Sequence, residues 1–368
     1  MSGQIIKRGK RKFLVRIFLG RDAKGKRRYH NKTIQGSKKD AEKYRNKILR
    51  EVDLGNFVEP SKVILRDHLE NWLDNNVKNN NQESTYKNYK QTLKNYIYPA
   101  IGDFKLSDIT AQEIQRNYNF LSKRLSSATI RNAHAVLRKG LEDAVKMGLI
   151  PNNPAKRVSA PRAEKKEIMV LSGEELGRFL LEAREDKFFG LFLILATTGL
   201  RPSEGRALKW DDFDLAKKTV SIRRSIDKDN SKGEFKELKT KKSYRKIILF
   251  PGVVRVLKEK KQNEKINTLN LVFPNEQGKP IQHRNLVRRH FKPILNKAEI
   301  DKKFNLYGLR HTFATLMLSE GIHPKIVSEM LGHESTSTTL DLYSHVLPDM
   351  QEQVVGRWEN ILKKERWI

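Results

Sequence analysis

Apolar and polar residues alternate in two short runs near the start of the chain, Lys12 to Leu19 and Arg28 to Ile34. A period of two marks a strand with one buried face. The segment RDAKGK between the runs offers Asp22 and Gly25, which suit a hairpin turn. From Lys38 to about Val52 the spacing becomes helical, and Gly55 supplies a stop. Between Ser61 and Arg157 strand signal is scarce. Helical spacing there predicts Leu65–Val77, Ser84–Tyr98, Ala111–Leu125 and Ser127–Met147, with Ser84 and Thr110 as N-caps and Gly148 closing the last helix.

The segment PNNPAKRVSAPRAEKKE, starting at Pro151, is rich in Pro, Asn and charge. Proline sustains neither a helix interior nor a central strand, so a linker is expected here. Beyond it helices mix with a few strands, Val220 to Ile226 and Tyr244 to Phe250, with KDNSKG as the intervening turn. At the end of the chain Val354, Val355, Trp358, Ile361 and Leu362 fall at spacings of three and four, which predicts a helix over Gln351–Ile368. That helix packs on its own domain or on a neighbouring copy. The expected architecture is multidomain. It comprises a small α+β N-terminal module (1–56), an all-α helical domain (61–157), and a mixed, mainly α domain with a small antiparallel sheet (168–368).

Charge changes this picture. The 368 residues carry 74 Lys and Arg against 43 Asp and Glu, a formal charge of +31. Residues 1–50 alone hold 18 basic and 3 acidic side chains. Such an excess points to a polyanionic partner, nucleic acid above all. The alternative is a surface charged for solubility, which basic residues serve less well than acidic ones. In Ser84–Tyr98, Tyr86, Lys87, Tyr89, Lys90, Lys94 and Tyr96 interleave, which suits DNA contacts and core packing alike. With no cysteine there are no disulfides, thiolate zinc sites or cysteine nucleophiles. The start MSGQIIKRGKRKF lacks the apolar core of a signal peptide, and the longest apolar run, Phe188 to Leu195, is too short to span a bilayer. A soluble, cytoplasmic protein is expected.

Four pieces of the third part carry candidate chemistry. In ATTGLRPSE (196–204) an apolar helix ends at Gly199, Arg201 follows in the turn, and Pro202 opens a helix with Glu204 in its first turn. An arginine held there suits a phosphate, or simply pairs with Glu204. In LKTKKSYRKIIL (238–249), Lys239 and Thr240 precede a strand. In LYGLRHTFATLMLSEG (306–321), Arg310 and His311 begin an amphipathic helix. In MLGHESTSTTLDLYSHV (330–346), Leu331-Gly332-His333 turns sharply at a helix end and Tyr343 follows ten residues after His333. Singly, His333 reads as a hydrogen-bonded structural histidine and Tyr343 as a half-buried packing residue.

Taken in order, T-G-x-R-x-x-E, K-T before a strand, L-R-H, L-G-H and Y-S-H resemble the catalytic domain of the tyrosine recombinases over 170–350. Residues 61–157 resemble that family's helical, SAM-like core-binding domain. Residues 1–56 resemble the arm-type, AP2-like module of phage and conjugative-element integrases. The resemblance implies DNA integration or excision through a 3′-phosphotyrosyl intermediate, with Arg201, Lys239, Arg310, His333 and Tyr343 as catalytic residues. It implies double-stranded attachment-site DNA and a homotetramer as partners, with a host bending factor and an excisionase as further candidates. No cofactor or metal is expected.

The chemistry asks for these residue types. Attack by a tyrosine oxygen on a phosphodiester gathers negative charge on the nonbridging oxygens, which the forks of Arg201 and Arg310 are suited to bind. A phenol with a reference pKa near 10 needs a cationic site or a base to become a good nucleophile. Lys239 suits protonation of the leaving 5′ oxygen, and His333 suits a hydrogen bond to phosphate or a proton shuttle. Glu204 braces the site. One position departs from the family pattern: three residues before Arg310, where histidine is common, stands Tyr307, a poor base at neutral pH. It stays outside the catalytic set. The alternatives are a resolution-type recombinase, a type IB topoisomerase and a catalytically inactive DNA-binding regulator. The N-terminal module argues against the first two and the five residues together against the third.

Overall fold

The computed structural model describes residues 3–21, 23–54, 57–59, 61–162, 168–227, 234–238, 240–263 and 267–343, with the backbone alone for 241 and 341–343. The chain divides into two compact units, 1–165 and 166–368.

The first unit opens with β1 (Gly3–Gly9), β2 (Lys12–Arg21) and β3 (Arg27–Gln35), an antiparallel sheet in that order. Ile5 pairs with Val15, and Val15 with Lys32. Val15 and Ile17 face inwards against Ala41 and Ile48 of the helix Lys38–Asp53. A capping box starts that helix: the Asp40 N–H donates to Ser37 Oγ at 3.2 Å, and the Ser37 N–H donates to the Asp40 carboxylate at 2.8 Å. The sequence pattern does not announce β1, in which two adjacent isoleucines stand among glycines and cations. The strand forms by pairing along β2 rather than by its own alternation. Gly55 lies outside the described residues.

Four long helices follow, Leu65–Trp72, Glu83–Tyr96, Ala111–Ser122 and Ser127–Lys146. Their shared core includes Leu69, Trp72, Leu93, Tyr118, Leu137 and Leu141. The first runs on through a π-helical turn at Leu73–Val77. Thr110 is the expected N-cap, accepting the Glu113 N–H at 3.2 Å, and Gly148 closes the last helix at φ +67°. Ser84 is not a cap: the helix begins one residue before it and Gln82 holds the cap position. The expected linker also starts later than Pro151. Pro154–Arg157 forms a 3₁₀ turn, Asn153 donates to the Arg138 carbonyl at 2.9 Å, and Ala155 and Val158 enter the helical core. Pro154 opens that turn, where its missing N–H costs nothing.

The second unit is built round the helix Phe189–Thr198, apolar on every side. Phe179, Phe291, Phe304 and Leu309 pack in the same core. β4 (Phe213–Asp214) and β5 (Thr219–Ile222) lead into a short hairpin of β6 (Arg224–Ser225) and β7 (Lys236–Glu237); β8 (Arg245–Ile248) then returns to pair with β5. The expected strand Val220 to Ile226 is therefore split at Arg223 between two sheets. Gln351–Ile368 lies outside the described residues. No helix among the described residues is long and apolar enough to cross a membrane.

Candidate active site

The turn at Gly199 gathers three of the sequence pieces. Gly199 ends the Phe189–Thr198 helix in the left-handed region, φ +64°. A Cβ there would stand 2.6 Å from both Leu331 Cδ2 and Phe313 Cδ1, so glycine is required for close approach as well as for conformation. Leu331 belongs to the helix Pro324–Leu331 that delivers His333, and Phe313 to the helix Gly308–Ser319 that delivers Arg310. The Gly199 carbonyl accepts from Arg310 Nη1 at 2.7 Å.

Arg310 is 1% exposed, and its Nη2 has no hydrogen-bond partner among the described residues. Burial, helped by the nearby charge of Arg201, pushes its guanidinium down to about 10, still protonated at neutral pH. A buried, half-satisfied cation is costly unless a ligand completes it. Arg201 sits at the N-cap of Pro202–Gly205 and remains partly exposed. Its Nη1 donates to Glu204 Oε1 at 2.9 Å and its N–H to Oε2 at 3.0 Å, while Nη2 lies 3.5 Å from the Gly332 carbonyl. Burial alone would raise the Glu204 carboxyl. The charges of Arg245 and Arg201, with their hydrogen bonds, outweigh it and hold the group below the ordinary carboxylate range.

His333 follows Gly332, whose φ of +66° turns the chain out of Pro324–Leu331. Its Nδ1 lies 2.8 Å from Thr339 Oγ1. Burial, then the cations Arg310, Arg201 and Arg245, push it down to about 4, so the free protein holds a neutral imidazole near pH 7. If Nδ1 accepts from the threonine, Nε2 carries the proton and serves as a donor.

A cavity of about 410 Å³ is lined by Arg201, Glu204, Thr240, Ser243, Gly332 and Glu334 among others. Lys239 lies outside the described residues, but Leu238 and Thr240 on either side of it both line this cavity. Thr240 Oγ1 lies 2.9 Å from Ser243 Oγ, and Lys242 Nζ donates to the Glu334 carbonyl at 2.7 Å. Tyr343 ends the helix Thr336–Tyr343; its side chain lies outside the described residues. The structure thus brings Arg201, Arg310 and His333 together. A separate cavity of about 260 Å³ beside Lys187, Glu276 and His290 contains none of them. Tyr307 precedes the Gly308–Ser319 helix with its ring half in solvent and 5.1 Å from that of His311.

Arg245 was not among the sequence candidates. Its Nη2 donates to Glu204 Oε2 at 2.9 Å, its Nε to the Met330 carbonyl at 2.7 Å and its Nη1 to the Ser243 carbonyl at 3.0 Å. The signal was present: in SYRKIIL, Ser243 and Ile247 alternate inwards, and Arg245 shares their face.

Comparison with known proteins places this arrangement. Residues 170–350 match the phage integrase family, and residues 64–122 match its N-terminal SAM-like domain. A tyrosine recombinase XerC-like protein of Caldanaerobacter subterraneus subsp. tengcongensis is 31% identical over 95% of this chain and 96% of its own. The ICEBs1 integrase of Bacillus subtilis is 25% identical over 75% of this chain and 78% of its own. Among solved structures, the Tn1549 transposon integrase in complex with a circular intermediate DNA shares the fold at TM-score 0.70 and 19% identity, covering 80% of this chain and 100% of that one. Lambda integrase, solved as a tetramer bound to a Holliday junction, does so at TM-score 0.59 and 17% identity, covering 91% and 97%. The chain belongs to the phage integrase family and is a tyrosine-type site-specific recombinase.

Proposed function

We propose that the chain integrates and excises a mobile DNA element by cutting and rejoining strands through Tyr343. The Tyr343 oxygen attacks the scissile phosphorus, the bond to the 5′ oxygen breaks, and Lys239 protonates that leaving oxygen. A 3′-phosphotyrosyl link remains. Attack by a 5′ hydroxyl on the link reverses the step and rejoins the strands, so the bond energy is conserved without a nucleotide cofactor. Arg201 and Arg310 bind the nonbridging oxygens as charge gathers there, and the neutral His333 donates from Nε2. The observation that carries this reading is the convergence of Arg201 and Arg310, with Nη2 of Arg310 buried and unpartnered among the described residues.

In this reading the α+β module (1–56) holds arm-type sites, the helical domain (61–157) holds core-type sites, and the remainder (168–368) does the chemistry on double-stranded DNA. The assembly is a homotetramer, as for lambda integrase on a Holliday junction. Gln351–Ile368 links its copies, while a bending factor and an excisionase set direction. A resolution role has one point in its favour, the XerC-like name of the relative matched end to end. The basic N-terminal module and the kinship with the ICEBs1 integrase favour integration.

The test is Tyr343→Phe on nicked attachment-site DNA. Loss of the denaturation-resistant adduct with core-site binding retained is expected. An adduct that still forms would refute the nucleophile assignment.

A further inference from the structure

We infer that Arg245, on β8, is a positioning residue of the recombination site: it takes up the charge of Glu204 and holds the turn that presents His333. The inference rests on the assignment of Arg201, Arg310 and His333 to the scissile phosphate.

Glu204 is 1% exposed and lies between two guanidiniums that differ in surroundings. The Arg201 side chain is 31% exposed and lines the cavity, whereas that of Arg245 is 7% exposed and is not among the residues lining it. Each carboxylate oxygen meets one close guanidinium nitrogen: Oε1 meets Arg201 Nη1 and Oε2 meets Arg245 Nη2, both at 2.9 Å; Oε2 also accepts the Arg201 backbone N–H at 3.0 Å, and Arg245 Nη1 lies 3.4 Å from Oε1. A buried carboxylate left with one cation concentrates its field on that cation. With Arg245 present, Glu204 is largely neutralised from the side away from the cavity, and Arg201 keeps positive charge for a phosphate.

The second half of the role is steric. Arg245 Nε holds the Met330 carbonyl at 2.7 Å, in the last turn of Pro324–Leu331. Arg245 Cδ and Nη1 would stand 3.1 Å from a Cβ on Gly332, so the arginine occupies the space that glycine leaves open. The Gly332 carbonyl faces Arg201 Nη2, and His333 follows directly. One side chain therefore fixes the spacing between the arginine turn and the histidine turn. The charged and titratable groups round His333 come from three elements: Arg310 and His311 from Gly308–Ser319, Arg201 from the N-cap of Pro202–Gly205, and Arg245 from β8.

The experiment uses the full chain and compares Arg245→Gln, Arg245→Lys, Glu204→Gln and the double variant Glu204→Gln/Arg245→Gln. Single-turnover cleavage of nicked core-site DNA, core-site Kd and Tm are read for each. Cleavage by Arg245→Gln is expected to fall about 100-fold while Kd changes about threefold or less, the signature of lost transition-state stabilisation. The double variant has no carboxylate charge to balance and is expected to cleave about tenfold faster than Arg245→Gln. Arg245→Lys keeps the charge but loses the fork, and lies between wild type and Arg245→Gln. Wild-type cleavage by Arg245→Gln would overturn the inference. So would a double variant no faster than Arg245→Gln, the result for a purely structural residue. Should Arg245→Gln fail to fold, a folded double variant as inactive as Tyr343→Phe would overturn it equally. Arg310→Met is run beside them, and wild-type cleavage by that variant would refute the underlying site assignment instead.

Discussion

Replacing Gly199 by alanine attacks the site where three of its pieces meet. A residue with a Cβ at φ +64° costs about 1–2 kcal/mol in the left-handed region. The new Cβ would also stand 2.6 Å from Leu331 Cδ2 and Phe313 Cδ1, and forcing such a contact in a filled core costs about 1–3 kcal/mol. The lower backbone entropy of unfolded alanine offsets about 0.4–1 kcal/mol. The net loss is about 2–4 kcal/mol, which for a unit of this size lowers Tm by roughly 5–12 °C. Differential scanning calorimetry of the full chain reads it on the transition of the second unit. Gly177→Ala is the control. Gly177 lies in the exposed interior of the helix Gly173–Ala183, and a Cβ added there would meet nothing within 4 Å, so alanine is expected to stabilise slightly. A Gly199→Ala protein melting within about 2 °C of wild type would refute the reasoning, because neither strain nor overlap would then be felt. Cleavage falls with stability, since the Gly199 carbonyl holds Arg310 Nη1.

Three further outcomes are expected. Arg310→Met lowers single-turnover cleavage about 100- to 1,000-fold with core-site Kd changed about tenfold or less, because it removes a donor used most in the transition state; equal losses in rate and binding would place Arg310 outside the reacting centre. Burial and the cations Arg310, Arg201 and Arg245 hold His333 at about 4 against 6.5 when unfolded. The unfolded chain therefore takes up this proton first, and the stability it contributes, present above the unfolded value, is lost as pH falls through that window. Denaturation midpoints at about pH 7.5 and about pH 4.5 are expected to differ less in His333→Gln than in wild type, and an equal difference would contradict the shift. Deleting 1–56 makes the dependence of log Kd on log salt shallower, since the segment carries a large share of the net charge; an unchanged slope would mean that the module does not touch DNA.

Local punctuation made much of the candidate site's placement legible in sequence. Gly199, Pro202 and Gly332 mark where helices stop and start, and Arg201, Arg310 and His333 stand next to those marks or at the turn they pack against. Thr110 and Gly148 delimit helices for the same reason. What escaped was set by partners distant in sequence. β1 forms because β2 offers an open edge. Asn153, Ala155 and Val158 dock on helices that local composition cannot reveal, so Pro-rich sequence passed for linker. Arg245 stood in KTKKSYRK, one cation among several, and what distinguishes it is a carboxylate 41 residues away and a carbonyl 85 residues away. Strand alternation carries a signal for its inward direction but none for what it meets there.

The same distances bear on why the protein tolerates so much like charge in one place. Arg201, Arg245 and Arg310 cluster round one carboxylate, and Arg310 is depressed by its own burial and by Arg201. Bringing buried cations together costs several kcal/mol unless each is partnered. Arg245 is partnered fully enough to be permanent, with a carboxylate and two carbonyls. Arg310 has a carbonyl at one nitrogen and, among the described residues, no partner at another, while Arg201 remains partly open. Among the described residues those two arginines are thus left under-satisfied, and a phosphate diester is the kind of acceptor that would complete them. A ligand that supplies the missing acceptor binds the folded state and not the unfolded one, so it stabilises the unit by mass action. In the proposed reading, catalytic pre-organisation and a stability cost to the free protein share one cause, an Arg310 Nη2 that has no partner among the described residues.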